Sequence, residues 1–176
     1  MVKHLYPGAI PLFSTAFVAA AVGLLFATNA VAGKVVVFKS DVARGSIVVR
    51  TNERQLYLVI GGERAIRYPV GVGRAGRQWV GTSVIKGKYL SPNWAPPPAI
   101  RRDRPDLPEI IAGGAVNNPM GVAALTLSGG NYAIHGTNAP NSIGRFVSYG
   151  CIRMLNEDIT DLYKRIHVGT RVVVER

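Results

Sequence analysis

The chain has 176 residues, a length that suits one domain with a hydrophobic core of its own. Apolar residues make up 48% of it, and 20 glycines and 11 prolines are spread along the sequence. This composition excludes a disordered protein and is typical of a folded chain with many turns. The formal net charge is +11, so the partners that we expect are anionic.

Residues 1–32 have the composition of an export signal. Basic residues near the N-terminus precede an uncharged apolar run, and Ala30-Val31-Ala32 has the small-x-small pattern that signal peptidase reads. We predict cleavage before Gly33. The alternative is an uncleaved membrane anchor, because the apolar run is just long enough to cross a bilayer. Both a cleaved signal and an anchor predict that residues 33–176 work outside the cytoplasm, in the periplasm or cell wall. After cleavage these residues would have no stable membrane span.

The basic charge belongs to the exported part of the chain. Lys3 is the only Lys, Arg, Asp or Glu among residues 1–32, so residues 33–176 have a net charge of +10. Export argues against nucleic acid as a partner and favours acidic lipids or acidic wall polymers. The alternative is that the charge only aids solubility.

Strand patterns dominate the chain after residue 33. Alternating or β-branched runs predict strands at 34–38, 46–50, 55–60, 64–72, 82–90, twice within 121–136, and at 170–175. "TNER" and Gly61-Gly62 predict hairpin turns. One helix is predicted over about 156–167, with Asn156 as its N-cap and Gly169 beyond its end. The predicted fold class is therefore mainly β, with one late α-helix and no second domain.

Residues 91–109, "SPNWAPPPAIRRDRPDLPE", contain six prolines. We expect no regular element there, because proline lacks the amide donor that helices and central strands need. A long irregular segment inside a compact domain is often a lid or a binding loop. Trp94 in this segment is a candidate substrate contact, with core packing as the alternative.

Two cofactor patterns fail on inspection. Gly71, Gly73 and Gly76 have the G-x-G-x-x-G spacing of dinucleotide sites, but a β-prone stretch follows in place of a helix, and no acidic residue lies at the required distance. We interpret these glycines as turn or bulge positions. A zinc site is also disfavoured, because no C-x-x-C or H-x-x-x-H motif occurs. We therefore predict no metal and no organic cofactor.

Cys151 is the single cysteine of a chain that is predicted to be exported. An unpaired thiol in an oxidising compartment indicates intermolecular pairing or a reactive group, and a buried inert cysteine is the alternative. His135, sixteen residues earlier, can act as its base if the intervening turn-rich loop brings the two together. Gly150 allows a close backbone approach, so amides around residues 149–151 can face a developing oxyanion.

A third group is expected to orient the imidazole, and no acidic residue occurs between residues 110 and 156. A carbonyl such as that of Gly136, an amide or a hydroxyl remains available. Arg153 shares a face with Cys151 if that stretch is extended, and a guanidinium there suits a substrate carboxylate. A surface cation or structural ion pair is the alternative for Arg153.

"IHGTN" followed by "SYGCIRM" resembles the catalytic signature of the L,D-transpeptidases, the YkuD-type family. The resemblance spans about residues 44–175 and also includes "YPVGVGR" and "NNPMG". It implies a YkuD-like β-sandwich or mixed β-sheets, with residues 33–176 as one catalytic domain. It assigns roles to the catalytic residues Cys151 (nucleophile), His135 (base) and Gly136 (orienting carbonyl), and to the oxyanion and substrate residues Ser148, Gly150 and Arg153.

The chain departs from the common family pattern at two places. Tyr149 stands where many members have histidine, and Thr82-Ser83-Val84-Ile85 stands where Thr-Pro-x-Gly is common. We expect Tyr149 to act through its backbone amide in the oxyanion site and its ring to pack against the loop of residues 136–147.

The resemblance implies a peptidoglycan L,D-transpeptidase. Such an enzyme takes an acyl group from a tetrapeptide stem onto cysteine and passes it to an amine, which forms 3→3 cross-links or attaches a protein of the outer membrane or wall. Two alternatives remain open, an L,D-carboxypeptidase that uses water as acceptor and a non-catalytic wall-binding protein.

Overall fold

The computed structural model describes Met1 and residues 32–176, so nearly all of the predicted export signal lies outside the described residues. The elements in chain order are β1 Lys34–Val37, β2 Ile47–Arg50, β3 Gln55–Gly61, β4 Arg64–Pro69, β5 Val72–Gly73, β6 Gly81–Leu90, α1 Pro98–Asp103, β7 Ala123–Leu127, β8 Ala133–His135, a short 3-10 helix Pro140–Ser142, β9 Phe146–Ser148, β10 Ile152–Arg153, α2 Asn156–Arg165 and β11 Arg171–Glu175. The prediction of a mainly β fold is confirmed.

Nine strands form one sheet in the order β1-β4-β3-β2-β11-β6-β7-β8-β10, and β5 pairs with β9 in a separate ribbon. The C-terminal strand β11 lies near the middle, parallel to β2 and antiparallel to β6. The long strand β6 joins the two halves of the sheet, and its pairing with β7 shifts register between Ile85 and Gly87. Such an irregularity bends a strand, so β6 directs β7, β8 and β10 into a second half-sheet.

The main hydrophobic core unites both half-sheets and α2. Its buried members include Ile47 and Leu56 from the first half, Leu125 and Ile134 from the second, and Leu162 from α2. Alternation along β2 and β3 sends the other side chains, such as Val48 and Tyr57, into a smaller cluster on the opposite face. Strands β8 and β10, which carry His135 and Arg153, therefore pack against this core.

The glycine-rich stretch after β4 forms β5, and the register of β5 on β9 shifts between Val72 and Gly73. This agrees with the interpretation of these glycines as bulge or turn positions. A Cβ at Gly71 would lie 2.7 Å from the Ser142 carbonyl oxygen, and one at Gly73 would lie 2.4 Å from the Arg77 carbonyl oxygen. Backbone segments therefore approach more closely here than any side chain would allow.

Two expectations about helices need correction. The proline-rich segment does contain a helix, α1, because Pro98 occupies its first turn, where a missing amide costs nothing, and no proline interrupts the residues that follow. The late helix α2 ends at Arg165 and has Leu155 in place of Asn156 at its N-cap. No helix among the described residues is long and apolar enough to cross a membrane.

Candidate active site

Strands β8 and β10 bring the candidate base and nucleophile to one edge of the sheet. The two strands pair in parallel, with Ile152 opposite Ile134 and Arg153 opposite His135. Cys151 immediately precedes β10, so the turn that holds it lies beside β8. The predicted return of the chain through the loop of residues 136–147 therefore occurs.

The His135 side chain is buried, with 4% of its surface exposed. Its Nδ1 atom lies 2.6 Å from the Gly136 carbonyl oxygen. A carbonyl only accepts hydrogen bonds, so Nδ1 carries the proton and Nε2 has the free lone pair. Burial lowers the pKa of His135 to about 4, and the charge of Arg153 acts in the same direction against the raising effect of the Gly136 and Pro119 carbonyls. The imidazole is therefore neutral at physiological pH, as a general base must be.

The Cys151 thiol is half-buried, and its sulfur lies 4.0 Å from the Asn131 carbonyl oxygen. Burial raises the pKa of the thiol, while a hydrogen bond with the Ala133 backbone and the charge of Arg153 lower it. The resting site consequently holds a protonated thiol and a neutral imidazole. Such a pair requires proton transfer to accompany the attack of sulfur, because a preformed thiolate is disfavoured.

Ser148 stabilises the turn of residues 148–151, which we call the catalytic turn because it carries the candidate nucleophile Cys151. Its hydroxyl donates to the Cys151 carbonyl at 2.5 Å and accepts the Gly150 amide at 3.1 Å. The Gly150 amide is therefore occupied within the turn. Among the described residues, the amides of Tyr149 and Cys151 have no acceptor, so both can donate to a bound molecule.

Two aromatic residues that no sequence motif marks as site residues hold the same turn. The Trp79 indole donates to the Gly150 carbonyl at 2.9 Å and stacks on Tyr132 with ring centroids 5.1 Å apart. Gly150 has φ 119°, and a Cβ there would lie 2.3 Å from the Tyr132 ring. Glycine is thus required by both backbone conformation and packing. Tyr132 lies three residues before His135, and this proximity in sequence is a signal that it belongs to the site. Trp79 is too distant in sequence from Cys151 for any pattern to connect it with the turn.

Arg153 lies on the same side of β10 as Cys151, because Ile152 between them points into the core. Its Nε atom is buried and has no hydrogen-bond partner among the described residues. Burial lowers the pKa of the guanidinium, although arginine remains charged at any physiological pH. An incompletely paired guanidinium beside the thiol is suited to an anionic group of a substrate.

The sequence predicts that the ring of Tyr149 packs against the loop of residues 136–147, whereas the hydrogen bond and the cation-π contact of this side chain join it to α1 and to Arg74. Its hydroxyl donates to Asp103 of α1, and the Arg74 guanidinium lies 4.0 Å from the ring centroid. Trp94 is half-buried and pairs through its backbone with Ile111, at the base of the proline-rich segment. The structure therefore connects the proline-rich segment to the catalytic turn through Tyr149 and not through Trp94.

Asn156 supports the loop that follows His135. Its Oδ1 atom accepts the amides of Thr137 at 3.0 Å and Val122 at 3.4 Å, which corrects its predicted role as a helix cap. A Cβ at Gly136 would lie 2.4 Å from the same oxygen. The side chain thus ties the His-Gly loop to the start of α2. No cluster of three or more metal-ligating side chains occurs in the described part of the chain.

The comparisons with known proteins agree with this geometry. The model of the L,D-transpeptidase catalytic domain (YkuD) matches residues 44–174. The chain is 41% identical over 143 residues to the "Probable L,D-transpeptidase ErfK/SrfK" of Escherichia coli strain K12 and 38% identical over 141 residues to the "Probable L,D-transpeptidase YbiS" of the same strain. The alignments cover 76% and 75% of this chain but 45% of each relative, so the chain spans about half the length of these proteins.

Solved structures share the fold. An L,D-transpeptidase from Mycobacterium smegmatis superposes with a TM-score of 0.61 at 19% identity, covering 76% of this chain and 59% of that one. The LD transpeptidase LdtMt1, solved in complex with imipenem, gives a TM-score of 0.55 at 18% identity, with coverage of 73% of this chain and 57% of that one. The sequence match over residues 44–174, carried on this shared fold, shows that the chain belongs to the L,D-transpeptidase family.

Proposed function

We propose that this protein is an exported peptidoglycan L,D-transpeptidase that uses Cys151 as its nucleophile. The observation that carries the proposal is the pairing of β10, which begins just after the half-buried thiol, with β8, which ends in the neutral, oriented imidazole of His135. Membership of the family supports the reaction class. The signal pattern of residues 1–32 supports export to the periplasm or cell wall.

In the first half-reaction, the Cys151 sulfur attacks the carbonyl between the third and fourth residues of a tetrapeptide stem. His135 Nε2 takes the thiol proton as the carbon–sulfur bond forms. The carbonyl oxygen becomes an oxyanion that the free amides of Tyr149 and Cys151 stabilise. The intermediate collapses when the terminal D-amino acid leaves as an amine, which takes the proton from the imidazolium, and a thioester remains.

In the second half-reaction, an amine of another stem attacks the thioester. His135, neutral again, takes a proton from this amine, and the Cys151 thiolate leaves and is reprotonated. The product is a new amide, and the enzyme returns to its starting state. All proton transfers involve the same imidazole, whose tautomer the Gly136 carbonyl selects.

Arg153 is proposed to pair with a carboxylate of the donor stem. Its buried Nε atom has no partner among the described residues, and it lies on the same side of its strand as the thiol. The net charge of +10 on residues 33–176 adds a long-range attraction toward a wall rich in carboxylates. Recognition thus combines a local ion pair with a general electrostatic preference.

Incubation of the purified protein with tetrapeptide-containing muropeptides tests the proposal. Mass spectrometry is expected to detect dimers linked between two diamino acids, the product of 3→3 cross-linking, and Cys151→Ala is expected to form none. Imipenem should add once to the wild-type protein and not to Cys151→Ala. Dimers or adducts formed equally by both proteins would refute Cys151 as the nucleophile.

The same experiment separates the other acceptors. Tripeptides without dimers would identify an L,D-carboxypeptidase, in which water resolves the thioester. If muropeptides are acylated onto Cys151 but remain as thioesters, a protein amine from the outer membrane or wall is the acceptor to add next. Absence of both acylation and turnover would favour a wall-binding protein without catalytic activity.

A further inference from the structure

The proline-rich segment of residues 91–109 is fixed firmly at its base. The Ser91 amide donates to the Val122 carbonyl at 2.8 Å, and Trp94 and Ile111 exchange two backbone hydrogen bonds of 2.8 Å. The Asn118 side chain, only 1% exposed, donates to the carbonyls of Pro92 and Ala112 at 2.9 Å each. Buried hydrogen bonds of this kind hold the two ends of the segment together.

The distal part of the segment is held differently. Helix α1 has no buried residue, and its only hydrogen bonds to described residues outside the segment are those of Asp103. Asp103 accepts the Tyr149 hydroxyl and pairs with Arg74 at 2.9 Å. The Arg74 guanidinium also lies 4.0 Å from the Tyr149 ring centroid. We call Arg74, Asp103 and Tyr149 the Tyr149 link.

The Tyr149 link ends at the catalytic turn. Tyr149 follows Ser148, whose hydroxyl stabilises the turn, and precedes Gly150. The Tyr149 amide is one of the two amides near the thiol that have no acceptor among the described residues. A second contact strengthens the connection, because the Arg74 amide donates to the Ser148 carbonyl at 2.9 Å. Fixing the Tyr149 side chain restricts the orientation of its peptide plane, and an oxyanion donor must be oriented before charge develops.

We propose that Asp103 and Arg74 are positioning residues for acyl transfer, which act through the Tyr149 side chain to orient the Tyr149 amide toward the oxyanion. The inference rests on the proposed function, since it concerns the carbonyl addition step of that reaction. It also gives the proline-rich segment a role, because the segment carries Asp103 to the site. The tyrosine at this position, where many family members have histidine, supplies the hydroxyl that Asp103 accepts.

Two reactions of the same thiol test the inference. Acylation by imipenem passes through an oxyanion, whereas alkylation by iodoacetamide is a displacement at a methylene carbon and needs no oxyanion donor. We expect Asp103→Ala and Tyr149→Phe each to slow acylation by about three- to tenfold, as befits an exposed charge-assisted contact, and to leave alkylation unchanged. The double variant should be no slower than the slower single variant, because both remove the same contact.

Asp106→Ala is the matched control. Asp106 lies in the same segment and pairs with Arg104 at 2.9 Å, and no hydrogen bond or ion pair joins it to residues 148–151. Its loss should leave both reactions at the wild-type rate. Hydrogen exchange of the α1 amides should accelerate in Asp103→Ala and not in Asp106→Ala, since only the former releases the helix from Tyr149.

Three outcomes would overturn the inference. If imipenem acylates Asp103→Ala at the wild-type rate, the Tyr149 link does not orient the site, while the proposed function would stand. An equal fall in acylation and alkylation would mean that the link controls access to the thiol and not the oxyanion donor. A wild-type protein that imipenem does not acylate and that leaves muropeptides unchanged would remove the proposed function, and the inference with it.

Discussion

Arg153 lies two residues after Cys151 on the same side of β10, and its buried Nε atom has no partner among the described residues. Arg153→Ala should therefore slow acylation by tetrapeptide stems by roughly 10- to 100-fold, the range expected for losing a hydrogen bond to a charged group. Arg153→Lys should recover part of the rate, because lysine keeps the charge but cannot pair through two nitrogens. Acylation kinetics followed by mass spectrometry measure this.

A remote arginine provides the control for Arg153. Arg64 on β4 is exposed and lies far from β10 in the order of the sheet. Arg64→Ala removes the same charge from the molecule, so any loss it causes reports net charge alone. If Arg153→Ala slows iodoacetamide alkylation as much as it slows stem acylation, the residue supports the site and does not bind a carboxylate.

The catalytic turn of residues 148–151 depends on elements that are distant in sequence. Trp79, which precedes β6, donates to the Gly150 carbonyl at 2.9 Å and covers Tyr132, which precedes β8. Trp79→Phe keeps an aromatic ring on Tyr132 but removes the donor. We expect stem acylation to fall by roughly two- to tenfold, in line with the loss of one hydrogen bond.

The Trp79 experiment needs a measure of folding beside the kinetics. Circular dichroism should show that Trp79→Phe retains the wild-type strand content, because the stack and the core beneath it remain. Acylation at the wild-type rate in a folded Trp79→Phe protein would indicate that Ser148 alone is sufficient to hold the turn.

The stability of the uncleaved chain, in which Gly33 is an internal residue, should depend on pH through Asp158 in α2. Asp158 is only 4% exposed, and burial raises its pKa to about 6, with Glu157 and Asp161 acting in the same direction and the Gly33 backbone against it. The folded state thus binds this proton more tightly than the unfolded chain, in which the pKa is about 3.9. The free energy of unfolding should fall as pH rises from about 4 to 6 and then level off, a change of about 3 kcal/mol.

Asp158→Asn should remove this pH dependence and make the protein more stable than wild type at pH 7.5. Thermal denaturation of wild type and Asp158→Asn between pH 4.5 and 8 measures this pH dependence. Asp161 gives the opposite case, because its hydrogen bonds with Arg165 and Tyr68 lower its pKa against the effect of burial. Asp161→Asn should therefore destabilise the protein at neutral pH. A wild-type melting temperature that does not change between pH 4.5 and 7 would contradict the assignment to Asp158.

Local patterns were sufficient for most of the strands. Residues 34–37, 55–61 and 171–175 form strands where β-branched runs predict them, because a pleated, half-buried surface accommodates such side chains. Helix α1 is not evident from the proline content of residues 91–109, because four of the six prolines lie before the helix or at its first residue and do not interrupt it. The predicted cap role of Asn156 is wrong because its position near a helix start fits a cap, whereas only the folded loops bring the amides of Thr137 and Val122 to its side chain.

The sequence by itself determined which groups are the candidates for the chemistry, because one cysteine, a histidine sixteen residues before it and the "SYGCIRM" motif favour acyl transfer through a thiol. Only the tertiary structure decided how these groups are oriented. Trp79, Tyr132 and Asp103 reach the catalytic turn from separate elements, and hydrogen bonds between residues 46 and 71 positions apart leave no local pattern. The physical reason is that residue type sets reactivity, whereas orientation comes from packing among segments that meet only when the chain folds.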